Sequence, residues 1–276
     1  MNALTLHTGT GRGTRFDLVR RLARELLDRE RRLALYGALM FALLLPMALA
    51  WGLDDRALRG ANVWIKPMKF ALSTAVLAWT TAWFIGHLQA AHARSRAVDR
   101  IVWLLIGSAS FEVGYIALQA ALGQASHYNV GDLFHGIMYS LLGLGALLLT
   151  VTQPMLAWQL FRHGDRSRPA AYRLAVLLGL TLTFVFGASV GGLLSGLQPP
   201  SPSTAALPIL GWSMSGGDLR PAHFLGIHAE QVLPLIGLAI ARGAAPGGGR
   251  GGVWAATLAY SLLFAAAVTY GLAGRG

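Results

Sequence analysis

The sequence predicts an all-α, polytopic membrane protein of seven transmembrane helices, with its N-terminus inside and its C-terminus outside. Of its 276 residues, 54% are hydrophobic and only 13% charged, at a mean hydropathy of +0.51. That balance is too apolar for an ordinary soluble domain. Seven apolar runs are each long enough to cross a hydrocarbon core of ~30 Å. The 23 Lys and Arg residues gather in alternate gaps between those runs, the asymmetry that sets topology in membranes. The net charge of +11 therefore reads as topological, and a nucleic-acid partner is not expected.

In chain order, residues 1–32 form a first unit and 33–276 the seven-helix domain. Residues 1–14 are rich in Gly and Thr and read as disordered. Over 15–32 the pattern is basic and amphipathic, with Leu18, Val19, Leu22 and Leu26 inside about 100° of a helical wheel. Such a helix lies on an anionic leaflet, or it is a solvated helix whose charges enforce topology. The apolar runs follow at 33–51, 67–86, 101–122, 133–161, 174–196, 223–241 and 253–273. Ala48-Leu49-Ala50 offers a signal-peptidase pattern, but a polar leader of this length argues against cleavage. The fourth run is long enough to tilt or to kink near Pro154, and the sixth contains Pro234. Gly187 with Gly191 and Gly192 with Gly196 suit close helix packing, and 243–252 reads as a flexible loop.

With the N-terminus inside, seventeen basic residues fall on that side and six outside: Arg56, Arg59, Lys66, Lys69, Arg220 and Arg275. Abundant Arg, Ala, Gly and Leu beside two lysines suggests a bacterial chain, hence an inner membrane. The absence of cysteine excludes disulfides, thiolate metal sites, iron–sulfur clusters and covalent haem attachment. No internal repeat and no nucleotide-binding glycine fingerprint is present.

Both lysines sit in Trp64-Ile65-Lys66-Pro67-Met68-Lys69-Phe70. The ordinary reading is an interfacial anchor with snorkelling stems. Yet Pro67 suits a first helical turn, which puts two deprotonatable ammonium groups at the positive end of a helix dipole. An acid or a bound anion is expected to answer them.

Three polar stripes mark faces hidden from lipid. Lys66, Lys69, Ser73 and Thr80 share about 60° of the second span, as do Ser108, Glu112, Tyr115 and Gln119 of the third. In the sixth, His223, His228, Glu230 and Gln231 share about 160°. The stripes are expected to meet in one outward-opening cavity, with Lys69 paired to Glu112 either as a site or as a clamp fixing helix register.

His127, His135, His223, His228 and Glu230 form a set of N and O donors suited to zinc, iron, copper or b-type haem, the last between His135 and His228. Each histidine alone also suits a hydrogen-bonded structural role. Asn129 and Asp132 lie on the loop leading to the fourth span. In 211–220, Ser215 and Asp218 are expected to cap the sixth span, Trp212 to sit at the interface, and Arg220 to face Asp132 or an anionic ligand. Spans two, four and six begin at this side, so their positive ends favour an anion there.

The stretches W-I-K-P-M-K-F-A-L-S, Q-A-S-H-Y-N and G-W-S-M-S-G-G-D-L-R-P-A-H-F-L-G-I-H resemble those of an uncharacterised family of bacterial polytopic membrane proteins, over roughly spans two to six. That family brings no activity with it. A looser similarity is to seven-span zinc amide hydrolases of the alkaline ceramidase type, whose late helix carries H-x-x-x-H. Here the spacing is H-x-x-x-x-H, without the matching Ser/Asp arrangement.

The functional expectation is a polar intramembrane cavity binding a small anionic or lipid-like ligand, a metal or a haem, with hydrolytic or redox chemistry. Glu112 and Lys69 are its candidate acid/base pair. Lys66, Tyr115, Gln119, Asn129, Asp132, Asp218, Arg220 and Gln231 are its candidate ligand contacts. The alternatives are a proton-coupled transporter and a non-catalytic membrane scaffold or sensor. Substrate and oligomeric state are not legible at this level.

Overall fold

A computed structural model describes residues 15–200, 207, 210–213, 215–245 and 248–273. The expected disordered start at 1–14, Arg275 and part of the 243–252 loop lie outside the described residues. The chain folds into helices α1 (Arg15–Arg29), α2 (Arg31–Leu53), α3 (Ile65–Ile85), α4 (Ala90–Ala93), α5 (Arg96–Ala121), α6 (Leu133–His163), α7 (Ala170–Gly196), α8 (Arg220–Ile227), α9 (Ala229–Gly243) and α10 (Arg250–Leu272). A two-stranded hairpin, β1 (Ala57–Leu58) with β2 (Ala61–Asn62), precedes α3.

Six helices are long and apolar enough to cross a membrane, or seven if the bent pair α8 and α9 counts as one span. This is the pattern of a multi-pass membrane protein. The predicted runs coincide with α2, α3, α5, α6, α7, the α8–α9 pair and α10. The sixth run breaks at His228 with a bend of 52°, six residues before Pro234.

Helices α3 and α5 are central. Ala71, Ala75, Ala78 and Ala82 of α3 are wholly buried, a stripe of methyl groups that admits α2 on one side and α5 on the other. The expected small-residue packing of α7 divides in two. A Cβ on Gly226 of α8 would come 3.0 Å from the Phe186 carbonyl carbon, and one on Gly187 would come 3.1 Å from Ile227, whereas Gly192 and Gly196 face open space. Helix α6 keeps much of its surface outside the bundle, with Leu144, Leu147, Trp158 and Phe161 exposed, as lipid contact requires.

Helix α1 leaves Phe16, Leu18, Val19 and Leu22 exposed, while Leu26 packs on the core. Glu30 ends α1 and caps α2 by accepting the Arg32 N–H at 3.1 Å. Ala48-Leu49-Ala50 lies within α2.

Two ends can be distinguished. At one, Arg32 reaches Asp99 at 2.8 Å and His92 stacks on His163 at 3.8 Å. At the other, the hairpin positions the start of α3. Arg59 and Gly60 adopt positive φ values of 52° and 76°, which a two-residue turn needs. Asp54 then accepts the Trp64 indole N–H at 2.9 Å and the Arg56 guanidinium at 2.7 Å. These bonds, Arg56 first, hold the Asp54 carboxyl well below the usual carboxylate range.

Because Gly226 meets backbone, Gly226→Val should force α8 from α7 and destabilise the protein by roughly 1–3 kcal/mol. Gly192→Val, facing open space, should leave the thermal melt in detergent unchanged.

Candidate functional site

Trp64 has no capping side chain to offer, and the first turn of α3 contains no acid. Lys66, its second residue, and Lys69, its fifth, are thus presented at the positive end of the helix. Oxygens other than carboxylates meet them. The Lys66 ammonium donates to Ser126 Oγ at 2.8 Å, and the Lys69 ammonium to the Leu210 carbonyl at 3.1 Å.

The predicted Lys69–Glu112 pair does not form. Among the described residues no ion pair joins either lysine to Glu112, and the cation within electrostatic reach of Glu112 is Lys66. Lys69 instead feels Arg220 and Asp218. The reason is position: the Leu210 carbonyl takes the Lys69 ammonium, while Glu112 lies against α6 and is 4% exposed. Gly145 makes room for it, since a Cβ there would stand 2.9 Å from Glu112 Oε1. That oxygen has no hydrogen-bond partner, nor has Oε1 of Gln119 nearer the loop. Tyr115 lies on the same helix, about one turn from each, and is buried.

Ser126 is 5% exposed and touches two nitrogens, with His127 Nδ1 3.2 Å from its Oγ. Burial, and next the Lys66 charge, hold His127 down at about 3, so its imidazole is neutral at physiological pH. The Phe70 and Tyr139 rings flank it at 6.1 and 5.8 Å. The loop is held from both directions. Asn129 donates to the Ala125 carbonyl at 3.1 Å, Tyr139 to Ser195 at 2.8 Å, and Tyr128 to the Leu194 carbonyl. Tyr128 has φ +58°, a conformation costing a bulky residue about 1–2 kcal/mol, and its hydroxyl bond and the ring contact with Tyr139 hold it there.

A second polar cluster gathers at the helix break. Glu230 is wholly buried. Its Oε1 accepts from Gln231 at 2.9 Å, and its Oε2 has no partner. Gln231 also donates to Thr80 of α3 at 3.2 Å and its Oε1 lies 3.1 Å from His228 Nδ1. His223 packs against α7 near Gly191, with Nδ1 unpartnered. The three stripes thus resolve into two clusters, both touching α3, in place of the single expected cavity.

The predicted metal set does not assemble. Among the described residues no three His, Asp or Glu side chains come together as a metal site. His135 is committed elsewhere: Nδ1 pairs with Asp132, which also caps α6 through the His135 N–H at 3.0 Å, and Nε2 lies 3.1 Å from Gln124. Both ring nitrogens thereby have side-chain partners. Arg220 does not face Asp132. It pairs with Asp218 at 2.6 Å and donates to the Gly211 carbonyl at 2.6 Å. Burial opposes ionisation of Asp218, but the Arg220 bonds and the Ser213 N–H outweigh it and hold the carboxyl below its ordinary range. Asp218 accepts the Arg220 N–H at the start of α8 at 3.0 Å, whereas Ser215 bonds back to Ser213. Trp212 stacks edge-on against Phe224 at 5.4 Å.

Ser126 is the residue that sequence reasoning passed over. Its stretch was singled out for His127, and no spacing rule connects position 126 to position 66.

The low pKa of His127 makes stability depend on pH. An unfolded imidazole titrates near 6.5, so the folded chain binds fewer protons between about 6.5 and 3. The stability is complete above 6.5 and is lost as pH falls through that window. At pH 5.5 the wild type should have lost roughly 1 kcal/mol on this account, and His127→Gln should flatten the slope of melting temperature between pH 7.5 and 5.5.

No family model, curated protein or solved structure matches the chain.

Proposed function

We propose that the protein is a membrane-embedded hydrolase working by acyl transfer to Ser126, with Lys66 as the base. The observation that carries this reading is the 2.8 Å contact between Nζ of the half-buried Lys66, at the start of a helix, and Oγ of the buried Ser126. A serine hydroxyl is a weak nucleophile until a base takes its proton, and a lysine in its neutral form is an established partner for that task. His127, held neutral at about 3, is too weak a base to compete, and it orients the hydroxyl through Nδ1. Once its ammonium has released a proton to solvent, the neutral Lys66 amine accepts the Ser126 proton as Oγ attacks an ester or amide carbonyl. The resulting ammonium returns it to the leaving group, and water then releases the acyl chain. Lys69 and Arg59, both within electrostatic reach of Lys66, favour a substrate carrying negative charge.

In this reading the chain is a seven-span protein of a bacterial inner membrane, N-terminus inside and C-terminus outside, with α8 and α9 as one broken span. The arginines at the ends of α5, α6, α7 and α10 support that orientation, and α1 lies on the inner leaflet with its exposed apolar face. Ser126 then faces the outer half of the bilayer.

A second reading, a proton-coupled transporter, is favoured by the break at His228. Broken helices line many transport sites, and here the break adjoins the buried Glu230, one oxygen of which has no partner.

A fluorophosphonate probe separates the two. Applied to the folded protein in detergent, it should label Ser126 in the wild type, not at all in Ser126→Ala, and roughly a hundredfold more slowly in Lys66→Met. A folded wild type unlabelled at Ser126 would contradict the hydrolase reading and leave the transporter.

A further inference from the structure

At the arginine end, away from Ser126, a cavity of about 380 Å³ opens between the C-terminal turn of α6 and the first turns of α7 and α10. Its wall has two characters. His87, Arg168, Arg173 and Arg250 supply polar groups, while Phe161 and Trp254 supply aromatic surface. Those two rings are 64% and 55% exposed, and at the end of a spanning helix such aromatics meet the interfacial zone of a bilayer.

Arginines at this end are accounted for by topology alone, but other features are not. His87 is 4% exposed, lines the cavity, and has an Nε2 without a partner. Burial, followed by the Arg168 and Arg29 charges, holds it down at about 2, so it is neutral and one tautomer offers an N–H at that atom. Arg168 likewise has a buried Nε without a partner. Asp165, the acid in the wall, lies within electrostatic reach of both donors but hydrogen-bonds neither unpartnered nitrogen, its oxygens being taken by the Ser167 N–H at 2.9 Å and hydroxyl at 2.8 Å. Helices α7 and α10 both begin here with no side-chain cap and no acid in the first turn, leaving N–H groups and positive dipole ends.

We propose that this cavity binds the phosphate of an anionic phospholipid from the adjoining leaflet, its oxygens held by Arg168, Arg173, Arg250 and His87, its acyl chains along Phe161 and Trp254. The aromatic wall distinguishes a lipid from soluble phosphate. Four arginines in the wall, Arg166, Arg168, Arg173 and Arg250, outnumber its one acid, Asp165, which favours a net anionic headgroup over a zwitterionic one.

The test is a tryptophan-fluorescence melt of the full chain in mild detergent at fixed ionic strength. It is titrated in turn with dioctanoyl-phosphatidylglycerol, dioctanoyl-phosphatidylcholine and inorganic phosphate. The phosphatidylglycerol should raise the melting temperature saturably and the other two should not. Arg168→Gln should raise the half-saturating concentration roughly tenfold. Arg250→Gln, at an exposed position, should do the same and serves if Arg168→Gln does not fold. Arg100→Gln, at the same end but outside the cavity, should leave the titration unchanged. Equal shifts with phosphatidylcholine or with phosphate would overturn the proposal. So would undiminished binding in the folded Arg250 variant, or an equal loss in Arg100→Gln.

Discussion

The hydrogen bond from Lys66 to Ser126 is the contact on which the account of this molecule depends. An ammonium at the N-terminal turn of an apolar helix opposes the helix dipole and is partly removed from water. It needs an oxygen. The hairpin and the Asp54–Trp64 bond fix where α3 begins, Tyr128 of the opposite loop, packed on Tyr139 of α6, fixes where Ser126 stands, and the two meet at 2.8 Å. Lys69, one turn on, is answered by a backbone carbonyl. Two lysines three residues apart thus acquire different surroundings, and one of them faces a serine hydroxyl.

Much of the architecture was legible because helix length and hydropathy are one-dimensional properties. The seven apolar runs reappear as the helices, and Asp132, a short polar side chain before an apolar run, caps α6. The contacts between helices were less legible. Glu112 was rightly read as a carboxyl hidden from lipid, yet its companion is Lys66, because helix rotation and the Gly145 gap on α6 decide which side chain comes near. The histidines were grouped by chemistry, while the fold scatters them by height and face. His135 went to Asp132 and Gln124. The sixth run breaks at His228, where Gly226 lets α8 lie against α7, and not at Pro234.

Unpartnered buried polar atoms link the different parts of the molecule. Each costs about 1–3 kcal/mol if nothing answers it, and those of the described residues include pairs in three regions: Glu112 and Gln119 in the α5 stripe, His223 and Glu230 at the broken span, and His87 and Arg168 at the arginine end. The first two regions adjoin α3, which joins the Ser126 site to the helix break through Thr80 and Gln231. The third faces away from both and is lined by cations and aromatics. The proposed chemistry at one end and the proposed lipid recognition at the other are therefore separable by mutation.

Because the chain contains no cysteine, paired substitutions can report distance without background. The most direct measurement is bridging of Lys66→Cys with Ser126→Cys by a short bifunctional methanethiosulfonate in membranes, with Thr80→Cys and Gln231→Cys as a reference pair on the same helix. The account predicts that both pairs are bridged. Bridging of the 80–231 pair without the 66–126 pair would contradict it, since α3 would then be correctly docked with Lys66 directed elsewhere.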